Sequence, residues 1–172
     1  KGWAGFELDQ GSHHNKILNN SFFSNGILGE IEDKGDLLMI KCATNNLVEG
    51  NLFQRGGHNL FDVSGAYNVI RHNVFDNRWD DTHGNRSGDL SGNNKFCDIG
   101  ARGYNLFEYN TLQHTVGAWE DPIPVVMKVQ GTNQIVRRNL YYKNEFSVIS
   151  GGVRPPNITE VWKQKIYHNV FF

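Results

Sequence analysis

The sequence predicts an all-β chain wound as a parallel solenoid, and three observations carry that expectation. The 172 residues include 21 Asn and 19 Gly with only 4 Pro, a turn-rich composition from which long amphipathic helices cannot be built. A motif of the form Asn-x-aliphatic-x-x-Asn-x-Phe recurs, most clearly as NLVEGNLF from Asn46 to Phe53 and NVIRHNVF from Asn68 to Phe75. Its spacing never falls below 22 residues but expands freely. Solenoid coils behave this way, because an insertion bulges outward at a turn and leaves the stack intact.

The copies run along the whole chain. Asn15 to Phe22 is the first, Asn46 to Phe53 the second, Asn68 to Phe75 the third and Asn105 to Leu112 the fourth. Gln134 to Tyr141 and Gln164 to Phe171 follow with Gln in the first position. The second Asn of each copy gives the anchors Asn20, Asn51, Asn73, Asn110, Asn139 and Asn169, separated by 31, 22, 37, 29 and 30 residues. In each copy the aliphatic and Phe positions are expected to point inward on two successive short strands. The anchor Asn is expected at the bend between them, since Asn tolerates the left-handed backbone such a bend needs. Its amide can bond the same amide one coil away, which satisfies a group otherwise buried unpaired. The expected fold is therefore about six coils with an asparagine ladder between aliphatic and aromatic layers.

A third strand precedes each motif: Gly5 to Gln10, Leu37 to Lys41, Leu60 to Ser64, Phe96 to Gly100, Val125 to Gln130 and Phe146 to Ser150. Each alternates with period two, as a half-buried strand does. Aligning the inward Leu8, Ile40, Val63, Ile99 and Val129 sets Glu7, Met39, Asp62, Asp98 and Lys128 in one outward column. Asp9, Lys41, Ser64, Gly100 and Gln130 form the column beside it. The insertions, Ser24 to Asp36, Asp76 to Asn94 and Gln113 to Pro124, are all expected to leave one corner, between the Phe strand and this third strand. They carry Trp79, His83, Arg86 and Trp119 and would wall a groove along the outward columns.

On these repeats the chain resembles the right-handed parallel β-helix proteins of the pectate-lyase-like superfamily, from about Phe6 to Phe172. The resemblance implies a right-handed helix. It is specific for fold and poor for function, because that architecture hosts polysaccharide lyases, glycoside hydrolases, uronate epimerases and phage tailspikes. The alginate and chondroitin lyases of this fold pair a Lys on one coil with an Arg on the next. Lys41, in MIKCATNN, sits where that Lys would, whereas one coil later LFDVSG puts Asp62 in place of the Arg.

Charge and length bound the rest. Seventeen basic and eighteen acidic residues nearly cancel, which gives neither a nucleic-acid footprint nor a polybasic membrane patch. The apolar runs, such as Leu37 to Ile40, are too short for a membrane-spanning helix. One domain spanning 1–172 is expected, either whole or a fragment of a longer helix, secreted or at the cell surface. Solenoid ends need covering, so end-to-end self-association that buries Phe171 is an expected alternative to a longer chain. Cys42 and Cys97, read as lying two coils apart at roughly 9 to 10 Å, are expected to be free thiols.

A groove crossing several coils with aromatic rims suits an acidic polysaccharide, with Trp79 and Trp119 stacking on sugar rings and Lys41 and Gln130 beside the polymer. Asp62 and Asp98 on adjacent coils would share a proton, divide acid and base roles, or hold Ca²⁺. Lys128 would neutralise one of them or accept a proton, with Arg86 and His83 reaching in. Two reactions fit: glycoside hydrolysis by the Asp pair, or β-elimination of a uronate with carboxylate-held Ca²⁺ and a Lys base. A charge ladder on a non-catalytic tailspike-like, adhesin-like or carbohydrate-binding solenoid remains the alternative.

Overall fold

The computed structural model of the protein describes residues 4–23, 36–55, 59–76, 86–91, 103–114, 125–130, 133–144, 147–151 and 164–172. Eighteen strands lie within them, three to a coil. The first coil holds β1 (Ala4–Leu8), β2 (Lys16–Leu18) and β3 (Ser21–Phe23), and the second β4 (Asp36–Thr44), β5 (Leu47–Glu49) and β6 (Leu52–Gln54). The third holds β7 (Asn59–Ala66), β8 (Val69–Arg71) and β9 (Val74–Asp76), and the fourth β10 (Arg86–Ser91), β11 (Leu106–Glu108) and β12 (Thr111–Gln113). The fifth holds β13 (Val125–Gln130), β14 (Ile135–Arg137) and β15 (Leu140–Tyr142), and the sixth β16 (Ser147–Gly151), β17 (Lys165–Tyr167) and β18 (Val170–Phe171). The first strands of the coils form sheet A, the second sheet B and the third sheet C; each sheet is six-stranded and ordered by coil. Every pairing is parallel. This is the expected parallel β-helix of about six coils.

The core stacks like on like. Ile17, Val48, Ile70, Phe107 and Val136 point inward from sheet B and are buried. From sheet C, Phe22 stacks on Phe53 at 4.8 Å between ring centroids and Phe53 on Phe75 at 4.9 Å, with the rings nearly parallel. Those distances equal the spacing of paired strands, about 4.8 Å: in-register parallel pairing sets each ring on the ring of the coil before. Leu112 takes the place in the fourth coil, and Tyr141 and Phe171 resume the stack at 5.1 Å. In the sixth coil the inward Ile166 and Phe171 are 42% and 52% exposed.

The asparagine ladder runs as expected, from Asn20 through Asn51, Asn73, Asn110 and Asn139 to Asn169, at side-chain distances of 3.0 to 3.1 Å. At every rung the Oδ1 also accepts the backbone N–H of the preceding Asn. A second ladder, which the sequence reading did not separate, joins Asn15, Asn46, Asn68 and Asn105 at the corner between sheets A and B. Gln134 extends it by accepting the Asn105 N–H. The bend geometry corrects one expectation. The left-handed residue is the one before each anchor, namely Asn19, Gly50, His72, Tyr109, Arg138 and His168. The anchor keeps its own side chain for the ladder, so the turn conformation falls on its neighbour.

The fourth coil is built differently from the expectation. Its sheet A strand is Arg86–Ser91, paired to β7 and β13, while Phe96–Gly100 lies outside the described residues. Residues 77–85 precede β10 and residues 92–102 follow it, so Asp76 to Asn94 is not one uninterrupted insertion; both segments lie outside the described residues. The cysteine expectation falls with it. Cys42 is disulfide-bonded and no cysteine among the described residues is free; the only other cysteine in the chain is Cys97, which lies outside the described residues. The two-coil distance argument assumed that Cys97 sat in the sheet A strand, and that strand is β10.

Candidate functional site

Sheet A carries the column the sequence points to. Registered pairs join Glu7, Met39, Asp62, Asp89, Lys128 and Ser150 on successive coils. Asp62 and Lys128 fall where expected, but the residue between them is Asp89, because β10 takes the place foreseen for Phe96–Gly100. Asp98 lies outside the described residues. Arg86, expected on a loop, is the first residue of β10 and pairs with Asn59. Ser64, Ser91 and Gln130 share the next column out, as expected for Ser64 and Gln130. His83, Trp79 and Trp119 lie outside the described residues.

The column is not a freely solvated ladder. Met39 is 9% exposed without belonging to the core cluster, so its outward-facing side is covered. Asp62, one coil on, is half-buried. A carboxylate in such a place interacts more strongly with neighbouring charges than one in bulk water.

Lys41 stands on a β-bulge. Between Ile40 and Ala43 the second coil has one residue more than the third between Val63 and Gly65. Cys42 absorbs it with φ of 57°. The Ser64 hydroxyl secures the bulge, accepting the Cys42 N–H at 3.3 Å and donating to the Ile40 carbonyl at 3.2 Å. Gly65 lets the strands close again: at its φ of 117°, a Cβ would sit 2.1 Å from the Ala43 carbonyl oxygen. A bulge of this kind re-aims a side chain, and here it takes Lys41, half-buried, out of strict register with Ser64.

A second polar group closes sheet C. Asp76 ends β9 and is 8% exposed; His114 follows β12 on the next coil. Their Oδ1 and Nδ1 lie 2.9 Å apart, and Gln113 Nε2 donates to Asp76 Oδ2 at 3.1 Å. A carboxylate on Nδ1 fixes the imidazole in the tautomer whose Nε2 accepts a proton. Read along the chain alone, His114 shows no relation to Asp76. The signal was present, since Asp76 lies three residues after Asn73 and His114 four after Asn110, but it needs the coils superposed.

Among the described residues no group of three or more His, Cys, Asp or Glu side chains gathers where a metal ion could sit. Fold and site together define a parallel β-helix with an ionisable column on one sheet. Comparison with known proteins gives no matching family model, no matching curated protein and no matching solved structure.

Proposed function

We propose that the protein cleaves an acidic, uronate-containing polysaccharide by β-elimination, with the polymer running across the coils over sheet A. The observation that carries the reading is the register of Asp62, Asp89 and Lys128 on three consecutive strands about 4.8 Å apart. Two acidic positions can supply oxygen ligands to a cation and one basic position a proton acceptor, the two functions an elimination needs. The Lys128 amine, in its neutral form, takes the proton on C5 of the uronate. The electrons of that C–H bond form the C4–C5 double bond, the C4–O bond breaks, and the departing oxygen takes a proton from water. Lys41, presented by the bulge, pairs with a uronate carboxylate along the chain.

The two carboxylate positions supply oxygen donors of the type Ca²⁺ prefers, and Asp62 and Asp89 would hold the ion together with the sugar's own carboxylate. Bound there, it would acidify the C5 proton. Likeness of the repeats to the pectate-lyase-like superfamily supports the substrate class. The disulfide at Cys42 supports a secreted or surface location, where such bonds persist.

The test is absorbance at 235 nm on polygalacturonate, alginate and chondroitin sulfate, with and without calcium. An unsaturated product is expected, lost in Lys128→Ala and made more calcium-dependent in Asp62→Asn and Asp89→Asn. New reducing ends without absorbance would replace elimination by hydrolysis with the Asp pair as acid and base. Neither signal on any polymer would overturn the enzyme reading and leave a non-catalytic solenoid.

A further inference from the structure

We infer that the outer face of sheet B, in the two middle coils, is a second polysaccharide-binding surface, separate from the column on sheet A. The corners of the stack carry left-handed backbone. The residue before each ladder position adopts the left-handed conformation, which Gly and Asn accept at little cost and other residues do not. At the corner between sheets A and B the second and fifth coils use Asn45 and Asn133 for it. The third and fourth coils use Tyr67 and Tyr104, at φ of 59° and 58°. At the corner between sheets B and C, Asn19 and Gly50 serve the first two coils, whereas His72, Tyr109 and Arg138 serve the next three. His14 in the first coil and His168 in the sixth share the conformation, so what sets the third and fourth coils apart among the described residues is a ring-bearing residue at both corners.

Packing inside the core does not explain those choices. Tyr67, Tyr104 and Tyr109 are 47%, 51% and 42% exposed. They are nevertheless ordered into flat pairs: Tyr67 stacks on Tyr104 at 5.3 Å and 10°, and His72 on Tyr109 at 5.1 Å and 9°. The Arg138 guanidinium lies 5.4 Å from the Tyr109 ring centroid and bonds its hydroxyl. Among the described residues no carboxylate pairs with it, whereas Arg71 and Arg137 are held by Glu49 and Glu108. Exposed rings stacked in register, at positions where Asn or Gly serves in other coils of the same stack, point to a role outside folding.

Between the two aromatic pairs lie the short strands β8 and β11, whose outward Val69 and Leu106 are half-buried. Tyr67 and His72 are five residues apart on either side of the three-residue β8, so the pairs stand at most roughly 16 Å from one another. This surface has flat apolar rails with a cation at one edge. A pyranose chain fits it through the C–H faces of its rings on the tyrosines, as aromatic surfaces favour, and an acidic sugar adds a charge for Arg138. The class of ligand rests on the proposed function, while the location rests on sheet B alone. A polymer held here would be kept close to the sheet A column without touching it.

The test uses affinity electrophoresis of the full chain in gels containing polygalacturonate or alginate, with dextran as the neutral control. Tyr67→Asn with Tyr104→Asn places at these corners the residue that the second and fifth coils already use, so the melting temperature should stay within a few degrees. Retention by the uronate polymers should weaken about tenfold or more, the scale of losing two ring contacts. Arg138→Gln should weaken retention in low salt and much less in high salt. The fold-loss of retention caused by the tyrosine changes should be the same in an Asp62→Asn background as in the wild type. Should the tyrosine double variant unfold, Arg138→Gln alone decides. Retention unchanged in the folded tyrosine and arginine variants, or no retention of the wild type in either uronate gel, would overturn the inference. Cleavage at 235 nm with tyrosine-independent retention removes this surface and keeps the proposed function. Tyrosine-dependent retention without cleavage does the reverse.

Discussion

Replacing Asn73 by Ala tests how much the ladder holds the coils together. The side chain is 1% exposed. Its Nδ2 donates to Asn110 Oδ1 at 3.0 Å, to the Val48 carbonyl at 3.0 Å and to the Arg71 carbonyl at 2.9 Å. Its Oδ1 accepts from Asn51 N at 2.9 Å and Asn51 Nδ2 at 3.0 Å. Five contacts disappear together, at roughly 0.5 to 1.5 kcal/mol net apiece. Two partners are partly rescued, because Asn110 Oδ1 keeps the Asn73 backbone N–H and Asn51 Nδ2 keeps the carbonyls of Ile17 and Glu49. The buried Asn51 N–H loses its side-chain acceptor. The expected loss is about 3 to 5 kcal/mol, a large share of the total stability of an ordinary domain. Asn20→Ala is the internal control. That side chain is exposed and only donates, to Leu18 O and Asn51 Oδ1, so its loss should cost below about 1 kcal/mol. Urea titrations with equal m-values give both numbers. Equal losses for the two variants, or a loss below about 1 kcal/mol for Asn73→Ala, would refute the ladder as a source of stability. Asn73→Asp sharpens the case: it keeps both acceptor bonds, sets oxygen against Asn110 Oδ1, and should recover stability as acid protonates it.

Burial pushes the Tyr141 hydroxyl well above the usual phenol range, so its stabilising share is complete below about pH 10 and falls above it, where only the unfolded chain ionises. Tyr141→Phe should therefore flatten the decline of urea midpoint between about pH 10 and 11, and at pH 7 cost less than about 1 kcal/mol for the 3.6 Å contact to Met127 Sδ. Gly65→Ala should lose about 3 kcal/mol or more from strain and the collision with the Ala43 backbone. Gly11→Ala, with φ of 86° and open space around it, should lose only about 1 kcal/mol, and similar midpoints for the two would remove the bulge-closing role from Gly65. The denatured, non-reduced protein should show no reactive thiol, and reduction should lower stability by about 2 to 4 kcal/mol; two free thiols would contradict the bond at Cys42.

The sequence alone determined the solenoid, the number of coils, the anchor ladder and most of the strand register. Those features are repeated, and a parallel stack makes each residue's neighbour the residue at the same place in the next repeat, so alignment within the chain is already contact information. It failed where the repeat is interrupted. In the fourth coil the strand-like alternation lies at Phe96–Gly100, whereas Arg86–Ser91, with Leu90 its one large apolar residue, reads locally as polar insertion. Pairing with both β7 and β13 nevertheless makes Arg86–Ser91 the strand. From that single choice follow the exchange of Asp98 for Asp89, the transfer of Arg86 from a loop to a strand, and the lapse of the free-thiol argument. The left-handed residues could not be assigned from composition either, because the tertiary ladder claims the Asn side chains and passes the turn to Tyr67, His72, Tyr104 and Tyr109. The pairing of Asp76 with His114, 38 residues apart in the chain, likewise exists only once consecutive coils lie one strand spacing apart.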